Sequence, residues 1–172
     1  MKKIFVVLAI AASMISAATV NAQVKSATAA RSAVEAAQKA SADAKKAVKA
    51  ATWVKLGQTL IDAYDSPMGN GWIGATEQDL ALVMGSTKPS AEEQVTVNGA
   101  PMVKKVYDTM NYYFNQNGQL SIIEVTKPVV ENALEKAADA FVKAAELDVK
   151  GQKTKEIVDG INGIVEKFNS AA

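Results

Sequence analysis

The chain has 172 residues, with 19 Lys and Arg against 18 Asp and Glu, and contains neither histidine nor cysteine. This near-neutral balance, with no dense basic block, gives no electrostatic footing on nucleic acid. The missing residue types remove Ser-His-Asp triads, Cys-His pairs, histidine metal sites and disulfides.

No Ser-x-x-Lys string is present. Carboxylates, hydroxyls and lysines are left as the reactive groups, and no catalytic, cofactor or metal site is expected. At the N-terminus, Lys2-Lys3 precede an apolar run from Ile4 to Ala12, and Val20-Asn21-Ala22 offers small or β-branched residues at the two positions a signal peptidase reads. The pattern predicts a secretory signal over 1–22, cleaved before Gln23. A membrane anchor is the competing reading, but the run falls short of the ~20 residues needed to cross a bilayer. No cysteine follows for lipid attachment. The mature chain, 150 of the 172 residues, is long enough for one domain over 23–172 with its own core. Loss of Lys2 and Lys3 leaves 17 basic against 18 acidic residues.

From Val24 to Ala51 the chain is rich in strong helix formers and lacks Gly and Pro. Ala27, Ala30, Val34, Ala37, Ala44, Val48 and Ala51 recur at alternating spacings of three and four, with Ser41 filling the gap, which is a heptad seam. The seam fits a first helix packing on the next one, or an intermolecular coiled coil. A second helix is predicted from 52 to 65, with Trp53, Leu56, Leu60 and Tyr64 on one face and Gly57 allowing a close crossing. Ser66-Pro67 and Gly69-Asn70-Gly71 end it.

Gly69-Asn70-Gly71-Trp72-Ile73-Gly74 spells G-x-G-x-x-G. That string cradles a dinucleotide only between a strand and a helix. Here a helix and a proline precede it, so its glycines are expected to make turns that tuck Trp72 and Ile73 against the core. Thr76 and Asp79 have capping-box spacing for a helix at 76–84, closed by Gly85. Periodicity then changes to two. Gln94–Val97, Asn98-Gly99 and Met102–Tyr107 read as strand, turn and strand. Tyr112–Phe114 and Leu120–Val125 flank Asn117-Gly118. A type I′ turn there would put Tyr112, Phe114, Ile123 and Val125 on one face, with Tyr113, Leu120 and Ile122 on the other. Such a sheet either packs on helices and loops or presents a recognition face carrying Tyr113.

Lys127-Pro128 is predicted to open a long helix to about 148, with Val130, Leu134, Ala137, Phe141 and Ala144-Ala145 as its apolar stripe. A further helix at 154–168 turns Ile157, Ile161, Ile164, Val165 and Phe168 inward. The fold class expected is α+β: mainly helical, with an insert at about 66–127 holding a small antiparallel sheet.

Trp53-Val54-Lys55-Leu56-Gly57 matches the W-x2-L-G opening of a tetratricopeptide repeat, and Ala137-x3-Phe141 matches its second helix, 84 positions on. The helices holding Trp53 and Phe141 are therefore expected to pack directly. The strings at 53–58, 69–75, 122–128 and 144–151 extend the likeness over about Trp53 to Glu156. There the chain resembles the amino-terminal part of exported tetratricopeptide-repeat proteins of Bacteroidetes. The resemblance implies a helical scaffold that binds protein or peptide, periplasmic or associated with the outer membrane, and it carries over no catalytic residue. It also implies further repeats where this chain has one more helix. Either the chain is a truncated form, or the insert and the first helix supply the missing contacts.

A non-enzymatic envelope scaffold is the leading functional expectation. A glycan-binding or structural module is the alternative, with Trp72, Tyr112 and Tyr113 able to stack on sugars. A carboxylate enzyme using Asp62 and Asp65, or Glu92 and Glu93, is the third. The partner-binding candidates are Trp72, Tyr112, Tyr113, Ile161, Ile164 and Phe168. An alanine seam has too little bulk to cover Phe168, so the last three are expected to form an exposed patch that favours a homodimer or partner capture.

Overall fold

The computed structural model describes residues 26–170; the signal sequence predicted over 1–22 and its expected cleavage before Gln23 lie outside the described residues. The fold is α+β. In order come α1 (Ala27–Ala42), α2 (Ala50–Asp65), a single 3-10 turn (Ser66–Met68), α3 (Glu77–Met84), β1 (Ala91–Val97), β2 (Ala100–Val106), β3 (Met110–Phe114), β4 (Leu120–Val125), α4 (Ala133–Leu147) and α5 (Thr154–Ser170).

Ser26 caps α1, its Oγ accepting from the Ala29 N–H at 3.2 Å. Ala30, Val34 and Ala37 are buried, and α1 packs on α2. The helix stops at Ala42 rather than running to 51. The Asp43 carboxylate accepts from the Lys45 and Lys46 N–H groups at 3.0 and 3.1 Å, a local alternative to the helical ladder. The second half of the seam therefore lies outside α1, with Val48 67% exposed.

α2 and α4 pack against each other across the 84 positions that separate Trp53 from Ala137, and α5 packs on α4 and more lightly on α2. Phe141 is fully buried at this junction. Trp53 is only partly buried, with its indole N–H donating to the Ala47 carbonyl at 2.7 Å. Around Phe141 the helical core gathers Val34, Leu56, Leu60, Leu134, Ile157 and Ile164.

α4 begins at Ala133, not at Pro128. Asn132 adopts a left-handed conformation (φ 54°), which breaks the helical path from the proline. In α5, Ile157 and Ile164 are buried, which takes Ile164 out of the exposed patch expected with Ile161 and Phe168, while Ile161, Val165 and Phe168 are not buried. Residues 157 and 164 are two turns apart and occupy the same side of the helix. Val165 is rotated away toward solvent, whereas Phe168 shares the side of Ile157 and Ile164 but stands at the end of the helix, 49% exposed.

The sheet is an antiparallel meander, β1-β2-β3-β4. Asn98 and Gly99 both have positive φ (50° and 82°), the signature of a type I′ turn, and join Val97 to Ala100 in register. The Asn117-Gly118 connection is different. Only Gly118 has positive φ, and the Asn115 side chain accepts from the N–H groups of Asn117 and Gln119. Phe114 pairs with Leu120 while Tyr113 pairs with Ile122, so Ser121 is a bulge. The bulge moves Leu120 onto the face of Tyr112 and Phe114, away from the face it was expected to share with Tyr113 and Ile122.

Met110, Tyr112, Phe114 and Leu120 form a second core with Leu80 of α3 and Ala75. Thr76 and Asp79 make the expected capping box, with reciprocal bonds of 2.9 and 3.2 Å. The loop before α3 is pinned to β4: Gly74 N–H donates to the Leu120 carbonyl at 2.7 Å, and Leu120 N–H to the Ala75 carbonyl at 2.8 Å. Those bonds tuck Ala75 inward and leave Trp72 and Ile73 outside, 48% and 60% exposed, contrary to the expectation that they would be tucked in. The G-x-G-x-x-G string follows the 3-10 turn and leads to Ala75, so its last glycine opens no helix.

Thr109 joins the two ends of the insert. Its hydroxyl donates to the Pro67 carbonyl at 2.9 Å, and its own carbonyl accepts from the N–H groups of Thr126 and Lys127 at 2.9 and 3.2 Å.

Candidate functional site

The six residues singled out in the sequence do not form one site. Tyr112 is fully buried. Its hydroxyl donates to the Met68 carbonyl at 2.6 Å and accepts from the Gly71 N–H at 3.1 Å, and burial pushes the phenol up to about 12. It is a structural tie between the sheet and the 3-10 turn, not a contact surface. Ile164 is 4% exposed and belongs to the helical core. Trp72 stands on the loop beside α3, far in sequence from the α5 residues.

Tyr113 lies half-buried on the other face of the sheet. Its hydroxyl donates to Glu124 Oε2 at 2.5 Å, and the Asn111 amide donates to the same oxygen at 2.7 Å. The Asn111 and Tyr113 hydrogen bonds hold the Glu124 carboxyl below its ordinary range. The bond to Glu124 in turn pushes the Tyr113 phenol up to about 12. The buried side-chain oxygen of Asn111, Oδ1, has no hydrogen-bond partner among the described residues.

The carboxylates considered for catalysis are engaged elsewhere. Glu92 and Glu93 point to opposite faces, where Lys105 and Lys104 approach them at 3.4 and 3.8 Å. Asp65 pairs with Lys167 at 2.6 Å. Among the described residues, no group of three or more Asp and Glu is placed to hold a metal ion, and no helix is long and apolar enough to cross a membrane.

What the structure does bring together is an apolar stripe and a cavity at one end of it. Val158, Ile161, Val165 and Phe168 follow each other along one flank of α5, beside its buried face, at spacings of three, four and three, each between 38% and 51% exposed. Phe168 also forms part of the wall of a cavity of about 330 Å³. The rest of the wall comes from Tyr64 and Pro67 at the end of α2, Val125 and Pro128 after the sheet, and Val130 to Glu135 at the start of α4. The lining is mainly apolar, with Glu131 and Glu135 as its charged members.

Only Phe168 of this cavity was singled out in advance. Its other residues come from three separate segments, and no local spacing marks such a convergence. The signal that was available is Pro128-Val129-Val130-Glu131, an apolar and proline-containing link between a strand and a helix. Comparison of the chain with protein-family models, curated proteins and solved structures gives no match.

Proposed function

We propose that this protein is a non-enzymatic scaffold of the cell envelope, tetratricopeptide-like in its helix pair, that binds a protein or peptide partner. The observation that carries the reading is the stripe of Val158, Ile161, Val165 and Phe168, left exposed along the flank of a helix whose adjoining side is buried against α2 and α4. Contiguous apolar surface of this kind marks an interaction site. The pairing of the Trp53 helix with the Phe141 helix is consistent with the split repeat. Export rests on the N-terminal sequence pattern.

Glycan binding is the second reading, favoured by one observation: Trp72 is a half-exposed aromatic ring on a turn. The experiment is a pull-down from an envelope fraction with the mature chain and with a Val158→Ser/Val165→Ser variant. Loss of a protein partner with the variant supports the scaffold. Equal recovery by both forms removes the stripe as the surface. Retention on a glycan array that depends on Trp72 would favour the second reading.

A further inference from the structure

We propose that the cavity beside Phe168 receives one bulky apolar side chain of a partner's amphipathic helix, and that this helix carries Lys or Arg next to that anchor. The inference rests on the scaffold reading and adds the chemistry of the partner.

The shape comes first. A volume of about 330 Å³ is at the small end of ligand sites, suited to a side-chain anchor rather than a large cofactor. Two prolines, Pro67 and Pro128, stand in its wall, and the wall turns into α4 at Asn132 with its left-handed backbone. Proline has a fixed φ, so this part of the cavity is formed before anything binds.

Charge then selects the occupant. Glu131 and Glu135 are exposed, no Lys or Arg lines the cavity, and neither glutamate is in an ion pair among the described residues. Lys136 follows Glu135 in sequence but is not in the cavity wall, and the lysines next to two other wall segments are held by carboxylates. Lys127 pairs with Asp108 and Lys167 with Asp65, both at 2.6 Å. The N-terminus of α4 contributes about +0.5 charge against two full negative charges, so the rim stays negative and favours a cation beside the anchor.

Phe168 belongs to both the cavity and the stripe, so a segment anchored in the cavity can continue along Val165, Ile161 and Val158. Ten helical residues span about 15 Å, three turns of a partner helix laying its apolar face along α5.

The test uses the full mature chain and two fluorescent amphipathic peptides of about 14 residues. They share the same Phe and Leu face, and Lys or Glu flanks the Phe. Two partly exposed charge pairs correspond to about tenfold in affinity, so the Lys peptide should bind about tenfold tighter than the Glu peptide. A Glu131→Lys/Glu135→Lys variant with an unchanged thermal melt should reverse the order, and Phe168→Ser should weaken both. Equal binding of both peptides, binding of neither, or a preference that survives the charge reversal overturns the proposal. So does sedimentation in which the chain self-associates and the Glu131→Lys/Glu135→Lys variant does not, because the occupant would then be a second copy. Failure here, with an envelope partner still lost in the Val158→Ser/Val165→Ser variant, leaves the scaffold reading standing.

Discussion

A Cβ built on Gly57 would lie 2.7 Å from Cε2 of Phe141, so the buried ring occupies the space that a side chain on α2 would need. Gly160 of α5 faces the ring from another side, where an added Cβ would fall against Cζ. The two glycines form a slot that lets three helices close on one phenylalanine. Gly57→Ala and Gly160→Ala should each lose about 1–3 kcal/mol to overpacking, offset by about 1 kcal/mol of helix propensity. At Gly163 no atom lies within 4 Å of an added Cβ, so Gly163→Ala should stabilise by up to about 1 kcal/mol. Denaturant melts of the three variants check the contrast, which fails if Gly160→Ala and Gly163→Ala behave alike.

Phe141→Ala should cost about 3–5 kcal/mol, the range for a fully buried aromatic. Trp53→Ala should cost less, because that ring is only partly buried, although its bond to Ala47 also ties the α1–α2 link to α2. A loss below about 1 kcal/mol for Phe141→Ala would mean that α2 and α4 do not depend on this contact.

Tyr112 and Tyr113 give the protein a defined response to alkali. Both phenols are pushed up to about 12 from the ordinary 10, Tyr112 by burial and Tyr113 by its bond to Glu124. A folded-state pKa above the unfolded one means that the neutral form is favoured by folding. That stability is complete below pH 10 and disappears as the pH rises toward 12. Ultraviolet titration of tyrosinate in the native protein should show a component displaced well above 10. Tyr113→Phe should remove part of that component, and a single titration at the ordinary value would contradict the geometry.

Glu124 has the opposite sign. Its carboxyl is held below the ordinary range by Asn111 and then by Tyr113. Its contribution is present above the unfolded carboxylate pKa and fades as the pH falls through the folded value. Glu124→Gln should flatten the acid limb of a stability profile, and an unchanged limb would rule this residue out as a contributor.

Sequence patterning foretold the α+β class, the capping box at Thr76 and the α2–α4 pairing, because each rests on residues whose spacing or chemistry is local and strong. It failed where one side chain overrides the pattern. Asp43 stops α1 within a run of good helix formers, and Asn132 delays α4 by one turn. At Ser121 a bulge reverses the facing of Leu120, which alternation alone cannot foresee. The stripe on α5 was legible as apolar residues. Which of them face inward is set by the slot around Phe141, which no single segment encodes.

The bond network at Thr109 bears on how the chain finds this structure. Docking α2 onto α4 from an extended chain closes a loop of about 60 residues between Pro67 and Lys127. The meander pairs only strands adjacent in sequence, so it can form by short-range steps. Once Thr109 holds Pro67 on one side and Lys127 on the other, the loop still to be closed is a few residues long. Loop entropy growing as (3/2)RT ln n makes that difference about 2 kcal/mol, part of which is met earlier, when Thr109 is brought to Pro67 across 42 positions. The sheet thereby acts as a clasp whose early formation shortens the search of the helices for each other. Its influence belongs to the rate of folding more than to the lifetime of the folded state.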